Sequence, residues 1–256
     1  MKVATWNVNG IRARHQQFVD WASAEQPDVI CLQELKSKLE QIPQMCSIEG
    51  YNCYWHGAGA YSGVALLVRR SFASDVSFTH PEFDHETRIV QAQIEDTVFT
   101  SVYVPNGGKD FDAKIAFFNA LIGYAGDVHR RGAKLILCGD MNIARAEIDV
   151  HPKERKPRAI GQLPQERELF EKLLGQGLVD VGRTLYPDDE NYFSWWAPWR
   201  NLRQRNIGWR LDYVLASEEI AKRAVSCPSQ REVGTSDHAP VVAVFDGDPL
   251  REKPPA

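Results

Sequence analysis

Six strand-like segments of this sequence each carry, close to one end, a polar side chain that could take part in catalysis. These residues supply carboxylates, amides, a phenol and an imidazole: Asn7 with Asn9, Glu34, Tyr103, Asp140 with Asn142, Asp212 and His238. One residue of this kind is explained by turn or cap formation. Six separate segments with the same pattern favour a shared site, because the strands of two packed sheets can end at one common rim.

The stretch "GTSDHAPVVAVF" (residues 234–245) places His238 on a turn that precedes an apolar, strand-like run. Turn formation accounts for Ser236 and Asp237 but not for the histidine. A histidine donates to developing negative charge only while it is protonated or suitably oriented, and a carboxylate partner secures both conditions. Asp212 is a candidate for that partner. Asp237 stays open as an alternative, although adjacent side chains of an extended chain point in opposite directions.

Glu34, together with Asp140 or Asp237, offers hard oxygen ligands for a divalent cation, and asparagines can add neutral ligands or orient a water. This donor set suits Mg²⁺ or Mn²⁺. Zinc is a poor fit, because no Cys/His cluster has the spacing of zinc ligands. A divalent cation here would polarise a phosphoryl oxygen or stabilise a leaving alkoxide. Asp140, flanked by Asn142, fits the handling of a water molecule.

The elements that must position these residues are predicted from apolar periodicity. Helices are predicted over residues 11–25, 37–46, 110–130 and 164–175. Nine strands are predicted, namely "KVATW", "DVICLQ", "NCYWHG", "GVALLV", "RIVQAQI", "TVFTSVYV", "KLILCG", "RLDYVLA" and "PVVAVF". Some of these strands alternate and others are apolar throughout, which predicts an α/β protein with mixed sheets and helices on the outer faces.

Composition limits the class of protein. The 256 residues, 43% of them hydrophobic, are enough for one large α/β domain, predicted over 1–247, with a polar, proline-rich and flexible tail over 248–256. Five cysteines without a CxxC pair predict a reducing compartment and no disulfide framework. No apolar stretch approaches the roughly 20 residues of a membrane span. We therefore expect a cytoplasmic protein without membrane contact, and a monomer by default.

The charge of the chain is unevenly distributed. The net charge of −4 argues against a nonspecific polyanion binder, yet residues 151–158 and 199–210 are rich in Lys and Arg. Four tryptophans, Trp195, Trp196, Trp199 and Trp209, lie beside and among the arginines of the second segment, a combination that suits nucleic-acid backbones and bases. Two solvated loops are the alternative interpretation. For the tryptophans the alternative is core packing, although Trp199 is expected to be exposed.

Seven sequence blocks, in order, carry a resemblance to a known family. They are "WNVNGIRA", "CLQELK", "YSGVALL", "VYVPNGG", "LCGDMNIA", "GWRLDYVLAS" and "GTSDHAPV", and they span residues 5–245. Together they resemble the exonuclease III/apurinic-apyrimidinic (AP) endonuclease family of DNA-repair enzymes, within the endonuclease/exonuclease/phosphatase superfamily. The resemblance implies a deoxyribonuclease I-like, four-layered α/β sandwich, in which helices flank two packed mixed sheets. This agrees with the predicted helices and strands.

The resemblance also implies an activity, the Mg²⁺-dependent hydrolysis of the phosphodiester 5′ to an abasic site in duplex DNA, which leaves a 3′-hydroxyl. It does not say how the endonuclease activity compares with 3′–5′ exonuclease and 3′-phosphatase activities, which are also possible for this family. Glu34 would be the principal metal ligand, with Asn7 beside it and Asp237 on the same side of the site. Asp140 would activate the attacking water, which Asn142 positions.

The remaining catalytic roles follow from the same resemblance. Tyr103 would contact the scissile phosphate, and His238, oriented by Asp212, would donate to a phosphate oxygen. The residues implied in binding duplex DNA with abasic sites or damaged 3′ ends are Arg12, Ala13, Tyr61, Lys109, Trp195, Trp196, Arg203, Arg205 and Trp209. Many relatives have an asparagine where this chain has Ala159. An amide contact to DNA is therefore expected to be missing, with Lys156 or Arg158 as electrostatic substitutes.

Two rival functions share some of these features. The superfamily includes deoxyribonuclease I-like nucleases and phosphatases of inositol or sphingolipid phosphates, but the Trp-Arg-Leu-Asp block and the aromatic loop favour repair of DNA. A DNA-binding module that has lost catalysis would need a broken catalytic set, whereas every member of the set is present in this chain.

Overall fold

The computed structural model describes residues 1–42, 46–59 and 61–247, and within them two six-stranded mixed sheets. The first sheet has the strand order β11 (Ala224–Ser226), β12 (Val241–Phe245), β1 (Lys2–Asn7), β2 (Val29–Gln33), β4 (Val64–Arg69) and β3 (Tyr51–His56). The second has the order β5 (Phe78–Thr79), β6 (Ile89–Ile94), β7 (Thr97–Tyr103), β8 (Lys134–Asp140), β10 (Asp212–Ser217) and β9 (Leu178–Asp180). One pair in each sheet is parallel, β1 with β2 and β7 with β8, and the other pairs are antiparallel.

Three helices, α1 (Ile11–Glu25), α2 (Phe111–Arg130) and α3 (Pro164–Leu174), cover the outer faces of the two sheets. Two short helices, α4 (Val181–Leu185) and α5 (Glu218–Ala221), pack Val181 and Ile220 into the core between the sheets. Helix α1 packs Phe18 and Trp21 into one outer apolar layer, and α2 and α3 pack Phe118 and Phe170 into the other. The inner faces of the two sheets share a third, central core. This is the four-layered α/β sandwich that the sequence predicts.

All nine predicted strands form, and three of the four predicted helices begin and end within one residue of the expected bounds. The predicted helix over 37–46 is not found in its described residues, 37–42 and 46, which hold only a 3₁₀ turn, Leu39–Gln41. Lys38 explains the difference, because its backbone is extended and forms a β-bridge with Ala58. The predicted tail, 248–256, lies outside the described residues.

Strand direction brings the ends with polar residues together. Strand β10 runs antiparallel to β8, so that Asp212 at its start pairs with Asp140 at the end of β8. Tyr103 at the end of β7 also pairs with Asp140. In the other sheet β12 runs antiparallel to β1, which places the turn before β12 beside the end of β1. No helix in residues 1–42, 46–59 or 61–247 is long and apolar enough to cross a membrane.

Gly139 allows the chain to reach Asp140 at this rim. Its φ of +156° lies at the edge of the region that favours glycine, and a Cβ at this position would overlap the carbonyl oxygen of Val102 on the parallel neighbour β7. No other residue type therefore fits between the apolar part of β8 and the carboxylate that ends it.

Candidate active site

Asn7 joins the carboxylates of the two sheets. Its side chain is completely buried, and Nδ2 donates to Oε1 of Glu34 at 3.0 Å and to Oδ2 of Asp140 at 2.9 Å. Glu34 follows β2 directly and has a left-handed φ of +54°. A residue other than glycine in this region of the backbone map is uncommon, and such residues concentrate at functional sites. The two predicted metal-side residues are thus in direct contact.

Asp140 is buried, and two further polar groups, both of Asn142, hold its carboxylate in place. The backbone N–H of Asn142 donates to Oδ1 at 2.9 Å, and the side-chain Nδ2 of Asn142 lies 3.3 Å from Oδ2 while also donating to the carbonyl of Val104. Burial, together with the charges of Asp212 and Glu34, raises the pKa of Asp140 to about 7, although His238 opposes the shift. Asp140 can therefore exchange a proton close to neutral pH.

His238 lies between two carboxylates. Its Nδ1 is 2.8 Å from Oδ2 of Asp212, and its Nε2 is 3.8 Å from Oδ2 of Asp140. Burial alone would lower the pKa of His238, but Asp212 and Asp140 outweigh burial and raise that pKa to about 10. The ring is therefore an imidazolium at neutral pH, with Nδ1–H donating to Asp212 and Nε2–H directed into the site. The open choice of partner is settled in favour of Asp212.

Ser194 orients Asp212 and was not predicted from the sequence. Its Oγ donates to Oδ2 of Asp212 at 2.6 Å and accepts from the backbone N–H groups of Leu211 and Asp212 at 3.0 and 2.9 Å. The side chain is completely buried. A serine between aromatic residues has no spacing or neighbour that would mark this role, so only the fold reveals it.

Asp237 faces away from the imidazole and belongs to a second chain of contacts. Its Oδ1 accepts from Nδ2 of Asn9 at 2.7 Å, and its Oδ2 accepts from Nε1 of Trp195 at 3.0 Å. The Nζ of Lys36 donates to Oδ1 of Asn9 at 2.7 Å and forms an ion pair with Glu34. Asp237 is thus linked to Glu34 through Asn9 and Lys36. Its predicted role on the metal side of the site stays a prediction.

Tyr103 presents a neutral hydroxyl beside the carboxylates. Burial and the charges of Glu34 and Asp140 raise the pKa of Tyr103 well above its usual range, so the phenol keeps its proton and can donate. The guanidinium of Arg88 lies 4.8 Å from the centroid of its ring. This cation–π contact holds the ring at the end of β7.

The donor set fits a divalent cation. Glu34, Asp140 and His238 each offer an atom within 4.8 Å of the others. The acids of the connected cluster, Glu34, Asp140, Asp212 and Asp237, outnumber the two cations bonded to them, Lys36 and His238. Oδ1 of Asp212 is buried without a hydrogen-bond partner among the described residues. Excess buried negative charge is unfavourable, and hard oxygen ligands suit Mg²⁺ or Mn²⁺.

A second titratable cluster, His56, His80 and Asp84, braces Arg88 instead. The His56 and His80 rings stack, with centroids 3.8 Å apart and planes at 27°. Both ring nitrogens of His80 already have partners, the hydroxyl of Tyr54 and the carbonyl of Ile89. His56 Nε2 is 2.6 Å from Oδ2 of Asp84, whose Oδ1 accepts from the backbone N–H groups of Arg88 and Ile89. The cluster therefore fixes the backbone that carries the guanidinium over Tyr103.

Four of the predicted DNA-binding residues, Arg12, Ala13, Tyr61 and Lys109, are exposed. Tyr61 is 73% exposed, and the Nζ of Lys109 lies 5.2 Å from the centroid of its ring. Arg205 is exposed as well. Trp199, which was expected to be exposed, is 59% exposed.

Trp195 and Trp209 are half-buried, and Trp195 donates to Asp237. Trp195 and Trp209 pack edge to face with centroids 5.5 Å apart. Trp209 also lies against Gly161, in the loop that contains Ala159. Lys156 and Arg158 of that loop are exposed. Exposure is required if they are to replace, by charge, the DNA contact of the asparagine that Ala159 lacks.

Two predicted DNA-binding residues, Trp196 and Arg203, are structural in this conformation. Trp196 is only 1% exposed, and its Nε1 donates to Oδ1 of Asn206. The guanidinium of Arg203 packs over the Trp196 ring at 5.2 Å and donates to the backbone carbonyls of residues 231, 233 and 236. Their polar groups already have partners within the protein, and direct DNA contact by these two residues stays a prediction. They anchor the loop that exposes Trp199.

A four-layered sandwich with a rim of carboxylates, amides and an imidazolium defines a hydrolase of phosphate esters. Residues 4–238 match the endonuclease/exonuclease/phosphatase family, and the chain belongs to that family. The exodeoxyribonuclease of Bacillus subtilis (strain 168) is 36% identical over 255 residues, which cover 96% of this chain and 100% of the relative.

Two solved structures show the same fold. The 3′ phosphatase NExo from Neisseria, bound to product DNA hairpin, has a TM-score of 0.87 at 33% identity. The AP endonuclease from Archaeoglobus fulgidus has a TM-score of 0.85 at 30% identity. Each comparison covers 96% of this chain and 100% of the other chain. The predicted family and fold are therefore confirmed.

Proposed function

We propose that the protein is a Mg²⁺-dependent DNA-repair nuclease that hydrolyses the phosphodiester 5′ to an abasic site in duplex DNA. The products are a 3′-hydroxyl and a 5′-phosphate on the abasic residue. The observation that carries this proposal is the pair formed by His238 and Asp140, 3.8 Å apart, with Asn7 connecting Asp140 to Glu34. The relatives described above, a nuclease of DNA, a 3′ phosphatase and an AP endonuclease, support it.

In this mechanism the two members of the pair act on different oxygens. Asp140 accepts a proton from the water that attacks phosphorus, and Asn142 keeps the carboxylate in place. The bond between phosphorus and the 3′ oxygen breaks, and that oxygen leaves and becomes the 3′-hydroxyl. The imidazolium of His238 donates from Nε2 to a non-bridging phosphate oxygen, where negative charge develops. The neutral hydroxyl of Tyr103 is a second donor on the same phosphate.

Glu34 would hold the Mg²⁺, with Asn7 beside it, and Mn²⁺ has similar ligand preferences. When bound, the cation supplies positive charge that stabilises the leaving oxygen. Lys36 keeps the Glu34 carboxylate oriented through an ion pair and a bond to Asn9. The same set of groups would act on a phosphate at a 3′ end, so we include 3′–5′ exonuclease and 3′-phosphatase activity in the proposal.

DNA contact would come from exposed residues around the rim rather than from the net charge of −4. Arg12, Lys109 and Arg205 are exposed cations, and Tyr61 and Trp199 offer exposed aromatic surface. An abasic sugar lacks the stacking that holds a base in the duplex, so its extrusion is less costly. We propose a monomer that acts alone on DNA in the cytoplasm.

The decisive experiment compares three labelled substrates: a duplex with one abasic-site analogue, an undamaged duplex with a recessed 3′ end, and the same duplex with a 3′-phosphate. One Mg²⁺-dependent nick 5′ to the lesion, absent in EDTA, would support the endonuclease. A ladder of shortened products from the recessed 3′ end, or release of the 3′-phosphate, without the nick would instead indicate an enzyme that acts only on 3′ ends. Cleavage that persists in EDTA, or none with any substrate, would refute the proposal.

Variants link this activity to the site. We expect His238→Asn to lower kcat by about 10²–10³-fold, because a donor to the developing charge is lost. His85→Asn is the matched control, since the His85 side chain is 66% exposed. Equal activity of the two variants would exclude His238 from the chemistry.

A further inference from the structure

Lys114 is a buried cation that no step above uses. It lies in the first turn of α2 and its side chain is 1% exposed. Its Nζ donates to three oxygens, the carbonyl of Asn142 at 2.8 Å, the carbonyl of Asn106 at 3.3 Å and Oε1 of Glu166 at 2.5 Å. All three hydrogens of the ammonium are thus matched by acceptors from three different segments.

Glu166, on α3, extends this connection to another loop. Its side chain is completely buried. Its Oε2 accepts from the backbone N–H groups of Gly161 at 2.6 Å and Leu163 at 3.0 Å. The carbonyl of Gly161 in turn accepts from the N–H of Ala144, two residues beyond Asn142. One ion pair therefore holds the segments 104–110, 140–144 and 159–163 together.

Two of these segments carry groups used in the proposed function, and the third packs against a predicted DNA-binding residue. Asn142 has a left-handed φ of +50°, which turns its amide N–H towards Asp140, and its carbonyl towards Lys114. Asn106 donates from Nδ2 to Oδ1 of Asn142 at 3.2 Å and precedes the exposed Lys109. Gly161 packs against Trp209.

We propose that Lys114 and Glu166 are positioning residues that set the backbone of Asn142, and through it Asp140, for catalysis. This inference rests on the proposed function and deepens it. Neither residue touches the reacting atoms. Apolar residues of similar volume often replace a buried ion pair without loss of stability. Only a donor with several N–H groups, however, can hold the carbonyls of two loops at once.

The test is the double variant Lys114→Met/Glu166→Gln. Methionine removes the three N–H groups, and glutamine keeps an acceptor for Gly161 and Leu163 without leaving an unpaired buried charge. The control is Arg69→Met/Asp28→Asn, which removes an ion pair between the end of β4 and the start of β2. That pair lies at the opposite end of β2 from Glu34, so it tests the loss of an ion pair without disturbing the site.

We expect the double variant to lower kcat by about 10- to 100-fold with little change in KM, because small misplacements of catalytic groups cost this much. Hydrogen exchange should accelerate in 104–110, 140–144 and 159–163 but not in β1. The control should lower the melting temperature and leave kcat unchanged. If the double variant does not fold, Lys114→Gln/Glu166→Gln replaces it, since the shorter amide cannot reach both carbonyls.

A folded double variant with unchanged kcat and unchanged exchange in the three segments would overturn the inference. So would a kcat that falls equally in the control. If the wild-type protein fails to cleave any substrate, the proposed function fails, but the exchange pattern still decides whether the pair holds these three segments in place.

Discussion

At the scale of single residues, the site depends on opposite electrostatic environments for two neighbouring groups. Burial dominates at Asp140 and raises its pKa to about 7, whereas two carboxylates dominate at His238 and raise its pKa to about 10. A carboxylate that is a usable base and an imidazole that stays charged can thus coexist at neutral pH. Groups whose environments separate their roles in this way are typical of acid–base sites.

Asp212→Asn should move the alkaline limit of activity to lower pH. With Asp212 present, His238 loses its proton only as the pH rises through about 10. Asp212 is the carboxylate that contributes most to the raised pKa of His238, so its loss should lower that pKa by about 1–3 units. A pH profile of kcat would measure the shift, with Asp188→Asn, at an exposed position, as control. An unchanged alkaline limit would show that His238 is not the group that titrates there.

At the scale of elements, the catalytic rim depends on how closely β7 and β8 approach. Gly139→Ala should destabilise the protein by about 3 kcal/mol or more, because the new Cβ would overlap the carbonyl oxygen of Val102. Gly132→Ala is the matched control, since Gly132 also has a positive φ, +81°, but no atom lies within 4 Å of its Cβ position. Urea unfolding of both variants measures the difference. Equal losses would mean that backbone angle alone, and not the overlap, requires glycine.

A buried ion-pair network also connects elements behind the site. Arg210, next to the start of β10, donates to both oxygens of Asp149 and of Asp180 in β9. Arg183, in α4, donates to Asp149 as well. Burial alone would raise the pKa of Asp149, but Arg210 and Arg183 outweigh it and hold that pKa below its usual 3.8.

The contribution of the Asp149 carboxylate to the free energy of unfolding should therefore be lost in acid. Because the folded pKa is depressed, this contribution is present above 3.8 and disappears as the pH falls through the folded pKa. Asp149→Asn should cost about 3–5 kcal/mol at neutral pH, since it leaves buried arginines underpaired. The variant should also lose less stability than the wild type on acidification. Denaturant unfolding at several pH values checks both, and parallel acid curves for the two proteins would contradict the prediction.

At the scale of the whole molecule, the two sheets together concentrate negative charge at one rim. Glu34 comes from the first sheet, and Asp140 and Asp212 come from the second. A bound divalent cation would offset their repulsion and would stabilise the folded protein by mass action. The cation should therefore affect stability as well as activity.

Millimolar Mg²⁺ should raise the melting temperature, by about 2–4 °C for each kcal/mol of binding free energy. The rise should be absent in Glu34→Gln and retained in Glu40→Gln, at an exposed position outside the cluster. Thermal unfolding followed by circular dichroism, with EDTA as reference, needs no substrate. A rise of the same size in Glu34→Gln would place the cation elsewhere.

The strands and long helices were predictable because their apolar periodicity is local and is reinforced by burial of the same residues in the core. The elements that were missed, β5, β9, β11, α4 and α5, have only two to five residues each, too few to show a period. The contacts by which Trp196 and Arg203 anchor their loop were not predictable, because the composition of a basic, aromatic loop does not distinguish side chains that face solvent from those that anchor the loop.

The sequence by itself determined the family and the four-layered class of fold, and it supplied the residues of the candidate site, because each is carried by short blocks that can be recognised one at a time. Only the tertiary structure decided which of those groups are partners. Asp212 rather than Asp237 contacts His238, and Asn7 connects the two sheets across 133 positions of chain. No sequence pattern predicted the supporting contacts of Ser194, Lys36, Lys114 and Glu166. Such contacts depend on strand direction and register between distant segments, and a local pattern carries no information about either.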